Sequence, residues 1–152
     1  MSAPTIVEPK PGVNMGRVVV EIAVENVADR DRVMRGELEP GAMRRITTPA
    51  LVDSGATLLC LPRPLIDQLG LVYDRSQPMR TVTGVVEFEI FRNARLEVEG
   101  RSCSVEVLAL AEGRQCLLGQ IPLETLDFWI DVTNHRLVGN PEHGGQWMAE
   151  VY

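Results

Sequence analysis

The stretch Ala50-Leu51-Val52-Asp53-Ser54-Gly55-Ala56-Thr57 sets an acidic residue directly after a short, β-favouring apolar run. A carboxylate at the end of a buried strand is desolvated, paired or functional, because a lone buried charge is costly. Ser54 offers a hydroxyl beside it. Gly55 permits a tight turn and a close approach of its own N–H. Together these residues describe a carboxylate held at the base of a cleft by short hydrogen bonds. An Asp-Ser-Gly triplet is also an ordinary turn, so the triplet alone leaves both readings open.

Outward from this stretch the chain reads mostly as strand. Along 17–25, RVVVEIAVE puts Val18, Val20, Ile22 and Val24 on one face and Arg17, Glu21 and Glu25 on the other, the period of a half-buried strand. The charged segment from Asn26 to Glu39 reads as a hairpin excursion with a surface loop, closed by Pro40-Gly41. LPRPLIDQL, 61–69, has prolines at its start, apolar residues at helical spacing and Gly70 as a C-terminal cap, which predicts a short helix. Val86, Phe88 and Ile90 alternate with Glu87 and Glu89 in another strand. LEVEGRSCSVEVLAL, 96–110, predicts two strands joined at Gly100-Arg101. A short helix follows over Pro122–Leu126, then a hairpin of Phe128–Val132 against Arg136–Val138. Trp129 reads as core. Trp147 and Tyr152 are left between docking on the barrel and joining a dimer contact. The expected architecture is an all-β barrel with one or two short helices.

At 152 residues, 45% hydrophobic and 24% charged, the chain fits a single folded domain with one core. Only 5% of residues are aromatic, so Val, Leu, Ile and Ala must build that core. A net charge of −6 with scattered basic residues argues against nucleic acid as a partner. No uncharged apolar stretch approaches the ~20 residues of a membrane helix, and the N-terminus has no apolar signal core. Cys60, Cys103 and Cys116 are odd in number and far apart, which predicts reduced thiols and a cytoplasmic setting. Neither His135 nor His143 stands in a motif with a cysteine, and no metal-ligand spacing occurs; no metal and no cofactor are expected.

With those residues in view, the sequence resembles the retropepsin-like aspartic peptidases, the family of retroviral proteases and their cellular and bacterial relatives. ALVDSGAT is similar to that family's apolar-apolar-Asp-Thr/Ser-Gly-Ala signature, with Asp53 at the catalytic position. Leu117-Leu118-Gly119 resembles the second signature, which in the family packs behind the active-site turn and completes a psi-shaped loop. Thr81-Val82-Thr83-Gly84-Val85 falls where the family carries its flap, and FWIDVTNHRLV looks like its closing hairpin. The resemblance spans 16–138. It implies a closed barrel with a psi loop, an N-terminal extension over 1–15 and a C-terminal tail over 139–152. It implies Asp53 as catalytic residue and Ser54, Gly55, Ala56, Leu118 and Gly119 as its support. Thr57, Thr83 and Gly84 would contact substrate. Ser54 stands where retroviral enzymes mostly have Thr, and Thr57 where they carry an acid that holds substrate backbone.

The chemistry of this family needs two carboxylates sharing a proton, and Asp-Ser/Thr-Gly occurs once here, at Asp53. The expectation is a symmetric homodimer acting on a peptide or protein substrate, its two-fold axis between two Asp53 residues. The alternative is a catalytically silent peptide-binding or dimerisation module of the same fold. A weaker third reading makes Asp53 part of a turn in an unrelated ligand-binding barrel. Asp67, Asp131, Glu87, Glu89, Glu97 and Glu99 read as structural or solvent-facing acids.

Overall fold

The computed structural model describes residues 17–151; the expected N-terminal extension, 1–15, and Tyr152 lie outside them. The chain runs β1 (Val19–Asn26), α1 (Val27–Met34), β2 (Arg45–Val52), β3 (Leu59–Pro62), α2 (Arg63–Leu69), β4 (Val72–Thr81), β5 (Gly84–Val98), β6 (Arg101–Leu110), β7 (Leu117–Leu118), α3 (Gln120–Thr125), β8 (Phe128–Asp131) and β9 (Arg136–Gly139). It is an all-β architecture with short helices, as the strand-period patterns predict.

Seven strands form one sheet in the order β1-β2-β7-β3-β6-β5-β4, and β1 also pairs with β5. That extra ladder, Ala23–Asn26 against Ala94–Glu97, returns the sheet on itself and closes six strands into a barrel. β5 makes this possible by changing partner along its length. Its first half pairs with β4 up to Arg92, and its second half pairs with β1. The change falls at a bulge, where the register with β6 shifts between Phe91 and Ala94 and Asn93 takes a φ of 82°. A bulge bends a strand and raises its twist, which is what a barrel corner requires. Inside lie Val20, Ile22, Leu59, Leu61, Leu96, Leu118 and Leu137, each essentially inaccessible. β8 and β9 make a separate hairpin, antiparallel from Phe128↔Gly139 to Asp131↔Arg136, in the expected place.

The helix expected within 61–69 forms over Arg63–Leu69, ending at Gly70 with φ 63°, the left-handed cap that glycine adopts without strain, while Leu61 and Pro62 belong to β3. The hairpin at Gly100 also forms, turning through Glu99 and Gly100 at φ 47° and 79°.

Four expectations are corrected. Asn26–Glu39 is not a hairpin excursion with a surface loop: it contains α1, whose N-cap Asn26 accepts a hydrogen bond from the Asp29 amide at 2.9 Å. Asn26 in turn donates to the carbonyls of Leu69 and Gly70, so the cap is fixed from outside the helix. The segment after Leu71, for which the sequence pattern carries no expectation, is a full strand, β4; as an edge strand it tolerates Pro78. Glu25 does not face solvent. It is buried, and its carboxylate accepts from Arg30, Arg45 and Arg95 at 2.7–3.2 Å. Burial acts to raise its pKa, and the hydrogen bonds from Arg45 and Arg95, with the charges of Arg95 and Arg30, outweigh it and hold it below the ordinary range. Trp129 is not core: strand alternation buries Phe128 and leaves Trp129 47% exposed. Glu97 and Glu99, expected outside, are half-buried.

Asp29 supplies an acid-stability prediction. Hydrogen bonds from the Arg44 side chain, opposed by burial and aided by the Arg44 amide, hold its carboxyl down at about 2. A carboxyl that binds its proton less readily folded than unfolded stabilises the fold above about pH 4 and loses that contribution as pH falls toward 2. Asp29→Asn should therefore lower the urea midpoint at pH 5.5 and flatten part of the fall below pH 4. A parallel acid limb in both proteins would contradict this.

Candidate active site

β2 delivers Asp53 to the end of its apolar run, where the Asp53 amide donates to the Leu118 carbonyl at 3.0 Å. The chain then reverses: the Ala56 amide bonds the Asp53 carbonyl at 3.0 Å, and the Gly55 amide donates to Asp53 Oδ1 at 2.9 Å. The carboxylate is thus oriented by its own turn. A Cβ on Gly55 would stand 3.1 Å from Oδ1, so the absence of a side chain lets that amide sit where it does. Asp53 is half-buried, while Ser54, Gly55 and Thr57 are exposed.

The turn does not stand alone. β7 lies between β2 and β3, parallel to the first (Leu51↔Leu117, Val52↔Leu118) and antiparallel to the second (Leu59↔Leu118, Cys60↔Leu117). This is the psi-shaped insertion. It brings together two segments over 60 residues apart in sequence, and Leu118 is fully buried at the crossing. Gly119 then passes so near the turn that a Cβ there would fall 2.3 Å from the Leu58 carbonyl and 2.7 Å from that of Ala56. From Gly119 the chain enters α3, whose first amides close the arrangement: Gln120 donates to the Ala56 carbonyl at 2.8 Å and Ile121 to the Thr57 carbonyl at 3.0 Å.

Thr83 and Gly84 lie on the β4–β5 hairpin. Residues 84–89 of β5 pair only with β4, so the hairpin projects past the barrel to a turn at Val82-Thr83, where Val82 is fully exposed. Gly84 takes a φ of 126°, and Thr81 Oγ1 donates to its carbonyl at 2.7 Å. The arms of the hairpin share an apolar cluster with the Asp53 turn. Met79 and Phe88 pack on Leu58, Cys60, Ile90 and Leu108, with Ala56 against the same group. Sequence reading missed Met79 and Leu58, and the α3 amides; a backbone donor leaves no mark in residue type.

Cys60 lies beneath this turn as a buried thiol. Burial, then the nearby Asp53 charge and Cys116, push it up to about 12, and burial pushes Cys103 up to about 11. Both are therefore held in the thiol form near neutral pH. All three cysteines are free. His135 Nδ1 faces the Arg17 carbonyl and His143 faces Asp127 and Glu150, with no cysteine at either ring. Among the described residues no group of acids, Cys and His could hold a metal, and no helix is long and apolar enough to cross a membrane.

A family model described as gag-polyprotein putative aspartyl protease matches residues 41–125, more than half of the chain and the whole of the Asp53 turn, the projecting hairpin and the β7 insertion. The chain belongs to this aspartyl protease family. Among solved structures, the EIAV protease complexed with the inhibitor HBY-793 is similar at 16% sequence identity and a TM-score of 0.48, over 78% of this chain and 92% of that one. No curated protein matches the chain in sequence. Asp53 lies on the turn that the β7 insertion and the first amides of α3 hold in place.

Proposed function

We propose that the chain is one half of an aspartic endopeptidase, with Asp53 of each subunit of a homodimer supplying one catalytic carboxylate. The peptidase unit would span 16–138, with 139–152 as a tail. The observation that carries this is the Asp53 turn itself: a half-buried carboxylate aimed by the Gly55 amide and backed by Leu118, Gly119 and two α3 amides, in a chain of the aspartyl protease family.

In aspartic proteases as a class, two carboxyl groups about 3 Å apart do not both ionise, so they hold one proton between them. The ionised Asp53 takes a proton from a bridging water, whose oxygen attacks the peptide carbonyl carbon. The protonated Asp53 of the partner subunit donates to the carbonyl oxygen, giving a neutral tetrahedral diol. A proton then passes to the amide nitrogen, the C–N bond breaks, and an acid and an amine leave. Ser54, Gly55, Ala56, Leu118 and Gly119 keep the carboxylate in place. Thr57 on the turn and Thr83 and Gly84 on the hairpin would contact an extended substrate from opposite sides, the hairpin closing over it. The exposed turn of a single subunit would form half of such a cleft, in keeping with a need for a second copy.

Purified protein should cleave an unfolded or extended peptide at mildly acid to neutral pH, with activity per chain rising with concentration as dimers form. Protein shown to be dimeric that cuts no member of a peptide library anywhere in that range contradicts the proposal.

A further inference from the structure

The residues after the closing hairpin pack back onto the far end of α3. Asn140 is buried, its amide bonds the Asp127 carbonyl at 3.0 Å, and its side chain bonds Asp127 Oδ1 at 3.0 Å. His143 Nδ1 lies 2.7 Å from Asp127 Oδ2 and its Nε2 lies 3.1 Å from Glu150. The Met148 amide donates to Asp127 Oδ2, and Trp147 Nε1 to the Thr125 carbonyl. Arg101, almost fully buried and stacked 4.5 Å over the Phe128 ring, bonds the carbonyls of Leu126 and Asp127 and reaches across to that of Gly145. Gly139 touches the tail so closely that a Cβ would meet the Gly145 carbonyl at 2.1 Å.

The carbonyls that end α3 are therefore satisfied by the tail and by Arg101. Asp127, in the left-handed region at φ 60°, is the hub. A six-residue helix has almost no stability of its own, since helix nucleation is unfavourable and propagation too short to repay it. Its position is set by what holds its two ends. One end is held by Asp127, Arg101 and the tail; the other supplies the Gln120 and Ile121 amides that grip the Asp53 turn.

We infer that Asp127 and His143 are positioning residues: the tail they dock fixes α3, and α3 carries that constraint to the Asp53 turn. The catalytic consequence rests on the proposed peptidase reading, whereas the coupling between tail and turn does not.

The test uses the full chain and reads amide hydrogen exchange in wild type, His143→Gln and Asp127→Ala. Breaking the latch should speed exchange at the Gln120 and Ile121 amides about tenfold or more, while amides of β1 and β5 keep their wild-type rates. In the peptidase assay kcat should fall about tenfold with KM within twofold, and Asp127→Asn, which keeps an acceptor for Asn140, should recover part of the loss. Faster exchange in the tail with Gln120 and Ile121 unchanged overturns the inference, as does a uniform rise over the whole barrel. If Asp127→Ala does not fold, His143→Gln decides alone. If the wild type cuts no peptide, the peptidase reading fails and the exchange rates still decide the coupling.

Discussion

Asp53→Asn should lower peptide cleavage by about a thousandfold or more while leaving the fold and the dimer intact, the scale on which a positioned acid–base group contributes. The amide is nearly the same size, and its oxygen can still accept from the Gly55 amide, now 2.9 Å from Oδ1, so the turn keeps its shape. What disappears is the shared proton. Neither amide can take a proton from water or deliver one to the carbonyl oxygen. Dimerisation should be unchanged or tighter, because no two carboxylates then have to be brought together. Paired measurements of kcat/KM and sedimentation on wild type and variant separate the outcomes. Activity within tenfold of wild type would remove Asp53 from the chemistry. A variant that loses activity because it no longer dimerises would give Asp53 a structural role instead.

The second large effect belongs to Gly119→Ala. The backbone there is ordinary extended chain, φ −91° and ψ −176°, so no conformational preference for glycine is at stake. Space is. The added methyl would meet the Leu58 carbonyl, the Ala56 carbonyl and the Leu58 amide at 2.3, 2.7 and 2.9 Å, all backbone atoms that no rotamer change can move. Relief requires β7 to part from the Asp53 turn, which breaks the Gln120 and Ile121 bonds at the same stroke. Overpacking of this kind costs about 3 kcal/mol, or a fall of roughly 6–12 °C in Tm for a domain of this size. Gly41→Ala is the matched control: nothing lies within 4 Å of its added methyl and its φ is not positive. It should leave Tm within about 1 °C, the size of an ordinary surface change. Equal melting of the two variants would show that the β7 crossing is looser than its geometry.

The parts of this fold that were legible in the sequence are those whose cause is local. Val18, Val20, Ile22 and Val24 announce a strand by alternation, and Pro64 with Gly70 bracket a helix. The Asp53 turn is legible for the same reason: the residues that shape it are neighbours. What the sequence concealed depends on distant partners. α1 has no apolar stripe, and Met34 is 72% exposed; the helix exists because Asn26 caps it and Asp29 binds Arg44. β4 reads as polar because it is an edge strand with few side chains facing the core. Glu25 looked like a solvent residue because Arg45 and Arg95, 20 and 70 residues further along, cannot be seen joining Arg30 around it. At the site, Leu118 and Gly119 drew notice only through resemblance to a family signature, since nothing near them in sequence says they pass beneath Asp53. The tail hub at Asp127 was invisible, for its left-handed backbone and its partners are all set by tertiary packing.

The most direct test is a crystal structure of the dimer, read for the separation of the two Asp53 carboxyl groups. The proposal requires them to face each other across the two-fold axis at about 3 Å, close enough to share a proton. Carboxyl groups tens of ångströms apart, or a protein that cleaves peptides as a lone subunit, would contradict it.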